Sequence, residues 1–346
     1  MEALLYERLE NGRVRCLLCN HRCEIDPGKR GLCRVRENRG GVLETLVYGR
    51  LIAQHVDPIE KKPLFHFLPG SLSYSIATVG CNFRCRFCQN ADIAQFPADR
   101  RGAIAGGRAT PEEVVAKARA TGCRSIAYTY TEPTVFFEFA LETCRLGREA
   151  GLKNVFVTNG YMSREAVDMI APVLDAANVD LKAFQPRFYR EICGARLEGV
   201  LDTLAHLKGR GVFVEVTTLL VPGLNDDPGE LEALAGFLAR TLGTDTPWHV
   251  SRFHPTYKMT DRPPTPVATL QRAREIGLAA GLRHVYTGNI PGDEGENTFC
   301  PQCRTAIIER WGFRVHRRRM NGDRCASCGQ RIAGVWDGAE SPGLNS

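Results

Sequence analysis

Between about residues 65 and 292 the chain alternates short apolar, β-branched runs with longer helix-patterned segments, a rhythm that implies a parallel sheet wound by helical crossovers. The strand-like runs are 73–79, 125–130, 154–158, 177–181, 212–220, 248–253 and 284–287. Helical patterns fill the intervals at 111–121, 135–150, 163–174, 197–208, 230–242 and 266–280. The first helix carries its own start signal. Thr110 stands at the N-cap, Pro111 at the first helical position and Glu113 three residues after the cap, the pattern of a capping box. Six or seven such units suit a full or partial barrel, whose ligands bind beyond the carboxyl ends of the strands. The flanks read differently. Residues 1–64 are Gly- and Cys-bearing without a long helical pattern, 293–338 are loop-rich and Cys-bearing, and 339–346 read as a disordered tail. The expected class is an α/β core with two small extensions.

The chain has 14 cysteines. Residues Met1 to Arg15 are charged and lack an apolar core like that of a secretory signal, and no apolar run approaches a membrane span. A cytoplasmic location with no membrane partner is therefore expected, and clustered cysteines read as metal ligands rather than disulfides. The net charge of +6 is mild. The densest basic stretch, 314–324, lacks the interleaved aromatics of a nucleic-acid surface and reads as a solvated hairpin face, so a nucleic-acid partner is not expected.

Eleven cysteines fall into three groups. Cys81, Cys85 and Cys88 form C-x3-C-x2-C at the end of the first core strand, with Phe87 before the third cysteine. Three such thiolates hold three corners of a cubane iron–sulfur cluster and leave the fourth iron open. Zinc prefers four ligands in paired C-x2-C units and suits them poorly. Cys300, Cys303, Cys325 and Cys328 do form two C-x2-C pairs, with 21 residues between them. That is a zinc-ribbon pattern, although the same thiolates would also hold a single iron or an auxiliary cluster. Cys16, Cys19, Cys23 and Cys33 follow C-x2-C-x3-C-x9-C, with Gly28 and Gly31 in the last loop and His21 as a spare donor. This matches neither paired zinc spacing nor a ferredoxin, and zinc and a second cluster both stay open. Cys123 and Cys144 read as small core residues. Cys193, before Gly194, reads either as core or as facing an active site.

The cysteine motif, with its aromatic residue and its place after a strand, resembles the radical S-adenosylmethionine (SAM) superfamily. The resemblance implies a partial (β/α)6 barrel and a [4Fe-4S] cluster on Cys81, Cys85 and Cys88. It also implies reductive cleavage of SAM to a 5′-deoxyadenosyl radical, which takes hydrogen from a substrate. It implies SAM contacts at successive strand ends. Glu132 and Pro133 match the end of the superfamily's Gly-Gly-Glu-Pro, with Tyr130 and Thr131 in place of the glycines. Thr158 and Asn159, before Gly160, match a Thr-Asn-Gly of the glycyl-radical activating enzymes, with Val157 where those have Asp. Asp180 and Lys182 match an Asp-Leu-Lys, and their spacing puts both on one side of a strand. His254 resembles a histidine flanking SAM, and Asn289 lies in a turn placed to meet the adenine. Each strand-end motif also reads as an ordinary turn or a surface ion pair.

Over nearly its whole length the chain resembles the AmmeMemoRadiSam system radical SAM enzymes, relatives of the pyruvate formate-lyase activating enzymes. The carrying segments are 31–38, 57–67, 128–133 and the C-terminal cysteine pairs. This implies an oxygen-sensitive enzyme acting on a protein or peptide, an external reductant such as flavodoxin or ferredoxin, and Memo-like and Amme-type partner proteins. A small-molecule or RNA-modifying radical enzyme and a non-catalytic metal-dependent binding module are the alternative classes.

Overall fold

The structure is a computed structural model, and it describes residues 1–290 and 292–336. The tail expected at 339–346, and the last two residues of the segment expected at 293–338, lie outside the described residues.

One eight-stranded sheet organises the chain. Its strands are β1 (Ala53–Pro58), β2 (Leu72–Ala77), β3 (Ser125–Tyr128), β4 (Lys153–Thr158), β5 (Ala176–Asp180), β6 (Phe213–Leu220), β7 (Trp248–Arg252) and β8 (Val285–Gly288). They lie side by side in sequence order. Strands β2 to β8 are parallel, and β1 adds antiparallel to the β2 edge. The seven parallel strands exceed the six that the resemblance implies. The edges β1 and β8 do not pair with each other, so the sheet is open.

Helices α1 (Pro111–Ala120), α2 (Phe137–Glu149), α3 (Arg164–Ile170), α4 (Leu197–Gly209), α5 (Pro228–Phe237) and α6 (Val267–Ala279) occupy the crossovers. The periodic segments became these elements with ends shifted by a few residues, because terminal turns close as 3-10 or π turns. Thr110 and Glu113 form the capping box on α1. Strands β3 and β5 are buried nearly end to end, which is why parallel strands read as continuous apolar runs.

The last strand of residues 1–64, β1, belongs to the main sheet. Ahead of it, Tyr6–Arg8, Val14–Cys16 and Glu24–Ile25 form a small antiparallel sheet, and Arg36–Arg39 pairs with Val42–Thr45. Val14, Leu18, Ile25, Val35 and Leu43 merge into the same apolar cluster as the sheet and helices.

The C-terminal segment has its own small core of Cys300, Ile307, Ile308, Cys325, Ile332 and Trp336. Ala306–Trp311 and Arg314–Arg318 form its hairpin, where Arg314, His316 and Arg317 of the basic stretch are exposed. This segment docks on residues 65–68. Val335 donates to the His66 carbonyl at 2.7 Å and accepts from Leu68 N–H at 2.8 Å, and the buried Arg310 donates to the Phe65 carbonyl at 2.9 Å. The same segment is held from the sheet by Glu215 near the start of β6, which accepts the backbone N–H groups of Phe65 and His66. No helix among the described residues is long and apolar enough to cross a membrane.

Candidate active site and metal centres

The parallel strands deliver their carboxyl ends to one side of the sheet, opposite Glu215 and Arg310. The loop after β2 carries Cys81, Cys85 and Cys88 there. Cys85 is buried and the other two are partly exposed. The loop is pinned from two directions. Arg84 N–H and Arg86 N–H donate to the carbonyls of Cys193 and Ile192, and Gln95 donates to the Phe83 carbonyl at 3.0 Å.

Glu132 follows β3 and is 2% exposed. One oxygen accepts from Thr134 N–H (3.0 Å), the Thr134 hydroxyl and the Thr158 hydroxyl (2.7 Å). The other accepts from Asn159 N–H at 2.8 Å. The carboxylate thus ties the end of β3 to the end of β4. Burial pushes its pKa up, against these four donors. Asn159 in turn donates to the Asn82 side-chain oxygen at 2.7 Å and lies 3.7 Å from the Cys81 sulfur. Cys81, Glu132, Thr158 and Asn159 are therefore brought together, with Asn82 and Thr134 as members that the sequence reading missed. Asn82 sits inside the cysteine motif, a position that offered a signal.

A second group forms around Cys85. Lys182 donates to Asp180 at 2.8 Å, and its ammonium stands 5.8 Å from the Phe87 ring centroid. Burial opposes the Lys182 charge, yet Asp180, Cys85 and Cys193 together lift its pKa well above the usual value. The Cys193 thiol is buried against Cys85. That hydrogen bond, aided by nearby Lys182, pulls Cys85 below its ordinary value. Burial pushes Cys81 well up and Cys88 to about 11. Cys193 thus faces the cysteine loop, through a turn ending at Gly194 with φ +72°.

Tyr130 has φ +62°, the left-handed region that favours glycine. For a residue with a Cβ this conformation costs about 1–2 kcal/mol. Side-chain anchors hold it. Asn90 donates to the Tyr130 carbonyl at 2.8 Å, the Tyr130 hydroxyl donates to Asp57, and Lys62 lies 4.6 Å from the ring centroid. Lys62, 1% exposed, also donates to Asp57 at 2.6 Å. Thr131 turns inward, its hydroxyl donating to the Thr78 carbonyl at 2.9 Å. His254 and Asn289 also sit at strand ends, but both are exposed. Asn289 donates only to the Arg252 carbonyl at 3.1 Å, and no hydrogen bond or ring contact joins either residue to the groups above.

The four C-terminal cysteines converge. Their sulfurs all lie within 4.8 Å of one another, with Cys300 to Cys328 at 3.6 Å and Cys303 to Cys325 at 3.7 Å. Thiolates bound tetrahedrally at about 2.3 Å from zinc stand about 3.8 Å apart, so the set fits one tetrahedral ion. Cys81, Cys85 and Cys88 are not gathered that closely, and three thiolates on three separate irons have no need to be. Their donor chemistry fits a cubane with one open iron. Cys16, Cys19, Cys23 and Cys33 line a separate cavity against Asn82.

Comparison with known proteins agrees with this geometry. The sequence model of the Radical SAM superfamily matches residues 75–237. An uncharacterised protein of Methanocaldococcus jannaschii, MJ0808, is 47% identical over 333 residues, covering 96% of this chain and 98% of that protein. A pyruvate formate-lyase-activating enzyme of Streptococcus mutans is 23% identical over 192 residues, 54% of this chain and 72% of that protein. Streptococcus suis SuiB, solved bound to S-adenosylmethionine, superposes with a TM-score of 0.50 at 15% identity, covering 67% of this chain and 53% of that one. That superposition bears on the fold alone.

Proposed function

This chain carries a radical SAM domain over residues 75–237, and on that premise we propose that it is an enzyme which cleaves SAM reductively and abstracts hydrogen from a protein or peptide. The observation that carries the reading is the Cys81–Asn159–Glu132–Thr158 assembly at the carboxyl ends of β2, β3 and β4. A [4Fe-4S] cluster on Cys81, Cys85 and Cys88 would bind SAM at its open iron and supply the electron that breaks it to methionine and a 5′-deoxyadenosyl radical.

The protein's own contributions follow from the geometry. Glu132 fixes the strand ends that wall the site. The Tyr130 and Thr131 backbone presents acceptors to an amino group, with Tyr130 locked by Asn90 and Asp57. Lys182, held charged beside Asp180, offers an ammonium to a carboxylate, and Phe87 covers it. His254 and Asn289, exposed at strand ends, are the residues assigned to the cofactor's far end in this reading. No general base is needed for hydrogen-atom abstraction.

The substrate class rests on the activating-enzyme relatives and on the Cys-rich extensions, which suit docking. Zinc is the occupant proposed for the C-terminal thiolates. Memo-like and Amme-type proteins are the proposed partners, a flavodoxin or ferredoxin the reductant, and the cytoplasm the location. The test is spectroscopic. Adding SAM to anaerobically reconstituted, dithionite-reduced protein should reshape the electron paramagnetic resonance signal assigned to Cys81, Cys85 and Cys88. A signal indifferent to SAM would contradict an open iron.

A further inference from the structure

We infer that Cys16, Cys19, Cys23 and Cys33 hold a second iron–sulfur cluster, a four-thiolate cubane, whose negative charge is met by the buried Arg36 guanidinium. The sequence left zinc and a cluster both open for this set, and three features of the structure separate them.

The first is spacing. A single zinc needs its four sulfurs about 3.8 Å apart. Among the described residues the group whose ligand atoms all lie within 4.8 Å of one another is the C-terminal one. The N-terminal four line one cavity and are not part of that group. A cubane puts each thiolate on a different iron and tolerates the wider ring.

The second is a buried cation that is only partly satisfied among the described residues. Arg36 is 1% exposed and lines the same cavity. One of its terminal nitrogens is ion-paired with the equally buried Glu138. Its Nε and its other terminal nitrogen have no hydrogen-bond partner. A buried donor left without an acceptor is destabilising. An anionic cluster, with thiolate and sulfide acceptors on its surface, would satisfy both.

The third is position. The cavity wall includes Asn82 and Thr134. The Asn82 carbonyl is 2.8 Å from the His21 ring nitrogen in the Cys19–Cys23 loop. Asn82 is also the residue next to Cys81 and the partner of Asn159. Cys19 bridges to Met162, and Asn20 to Tyr161, just past the Thr158–Gly160 turn. A cluster here would lie against the first centre's ligand loop at Asn82, with three of its four cysteines partly exposed towards solvent.

The test works on full-length protein in which the first centre is removed, so it does not depend on the SAM chemistry. A Cys81→Ala/Cys85→Ala/Cys88→Ala variant, reconstituted anaerobically, should retain about four irons and four acid-labile sulfides per chain. Acid-labile sulfide separates a cubane from a single iron in the C-terminal set. Adding Cys16→Ser and Cys19→Ser should abolish that sulfide while circular dichroism stays that of the parent. Arg36→Gln in the parent should keep the iron and shift the midpoint potential to more negative values, since a cation stabilising the reduced cluster is gone. A folded triple variant without sulfide, carrying zinc in its place, would overturn the inference. So would a sulfide content indifferent to Cys16→Ser and Cys19→Ser.

Discussion

Glu132 shows how one buried carboxylate fixes the geometry of two strand ends. It accepts four hydrogen bonds from Thr134, Thr158 and Asn159. In Glu132→Gln one acceptor becomes an NH2 group that faces a donor, at a cost of about 1–3 kcal/mol. Urea unfolding should report that loss, and SAM-dependent turnover should fall at least about tenfold. Unchanged turnover would remove Glu132 from the site. Asp57 is a second such residue. Although burial raises its pKa, the hydrogen bonds from Lys62, Tyr130 and Lys61 bring it well below the usual carboxylate range. Asp57→Asn would leave the buried Lys62 ammonium without its partner, and breaking such a pair costs about 3–5 kcal/mol. Lys62→Met in that background should recover part of it. Without recovery in the double variant, the cost would lie elsewhere than in the stranded charge. The cysteine motif was legible in the sequence because spacing alone specifies it. The Asp57–Lys62–Tyr130 cluster was not, because it joins positions 73 residues apart. Nor was the contact of Cys193 with Cys85, which depends on how the turn at Gly194 packs.

At the scale of elements, the strands and helices were legible for a physical reason. Parallel strands buried on both faces cannot hide among polar neighbours, and Thr110, Pro111 and Glu113 mark the start of α1 outright. Strand β1 escaped because an edge strand pairs on one side only and just one of its six residues is buried, with His55 and Val56 exposed. The element at the opposite end of the sheet carries a pH prediction. His66 and His284 stack with ring centroids 4.3 Å apart where the C-terminal segment docks. Burial holds His284 down to about 4, and burial likewise pushes His66 well below its usual value. The unfolded chain takes up these protons near pH 6.5 and the folded one does not. Stability is therefore whole above about pH 6.5 and is lost as the pH falls towards 4, with His284 contributing about 3 kcal/mol. Thermal unfolding across that range should show the slope, and His284→Gln should flatten it. An equal slope in the variant would rule His284 out.

On the scale of the molecule, the open sheet is capped by chemistry at both flanks of the chain. The N-terminal cysteines line a cavity that reaches Asn82 in the Cys81–Cys88 loop, and the C-terminal ribbon closes the far end through Arg310, Val335 and Glu215. Among the described residues the ribbon's apolar core holds six buried residues, two of them cysteines of the candidate metal site, a core small enough that a bound ion would contribute to its folding. Cys325→Ser, or removal of the ion by a strong chelator, should open 293–336 to protease while the sheet stays folded. Equal resistance with and without the ion would contradict a structural role.

The most direct measurement is 5′-deoxyadenosine formation. Anaerobically reconstituted protein given SAM and dithionite should form it, and Cys81→Ala beside it should not, while both bind the C-terminal metal alike. Product from the variant at the wild-type rate, or none from a cluster-loaded wild type that has bound SAM, would contradict the assignment of Cys81, Cys85 and Cys88 as the seat of radical chemistry.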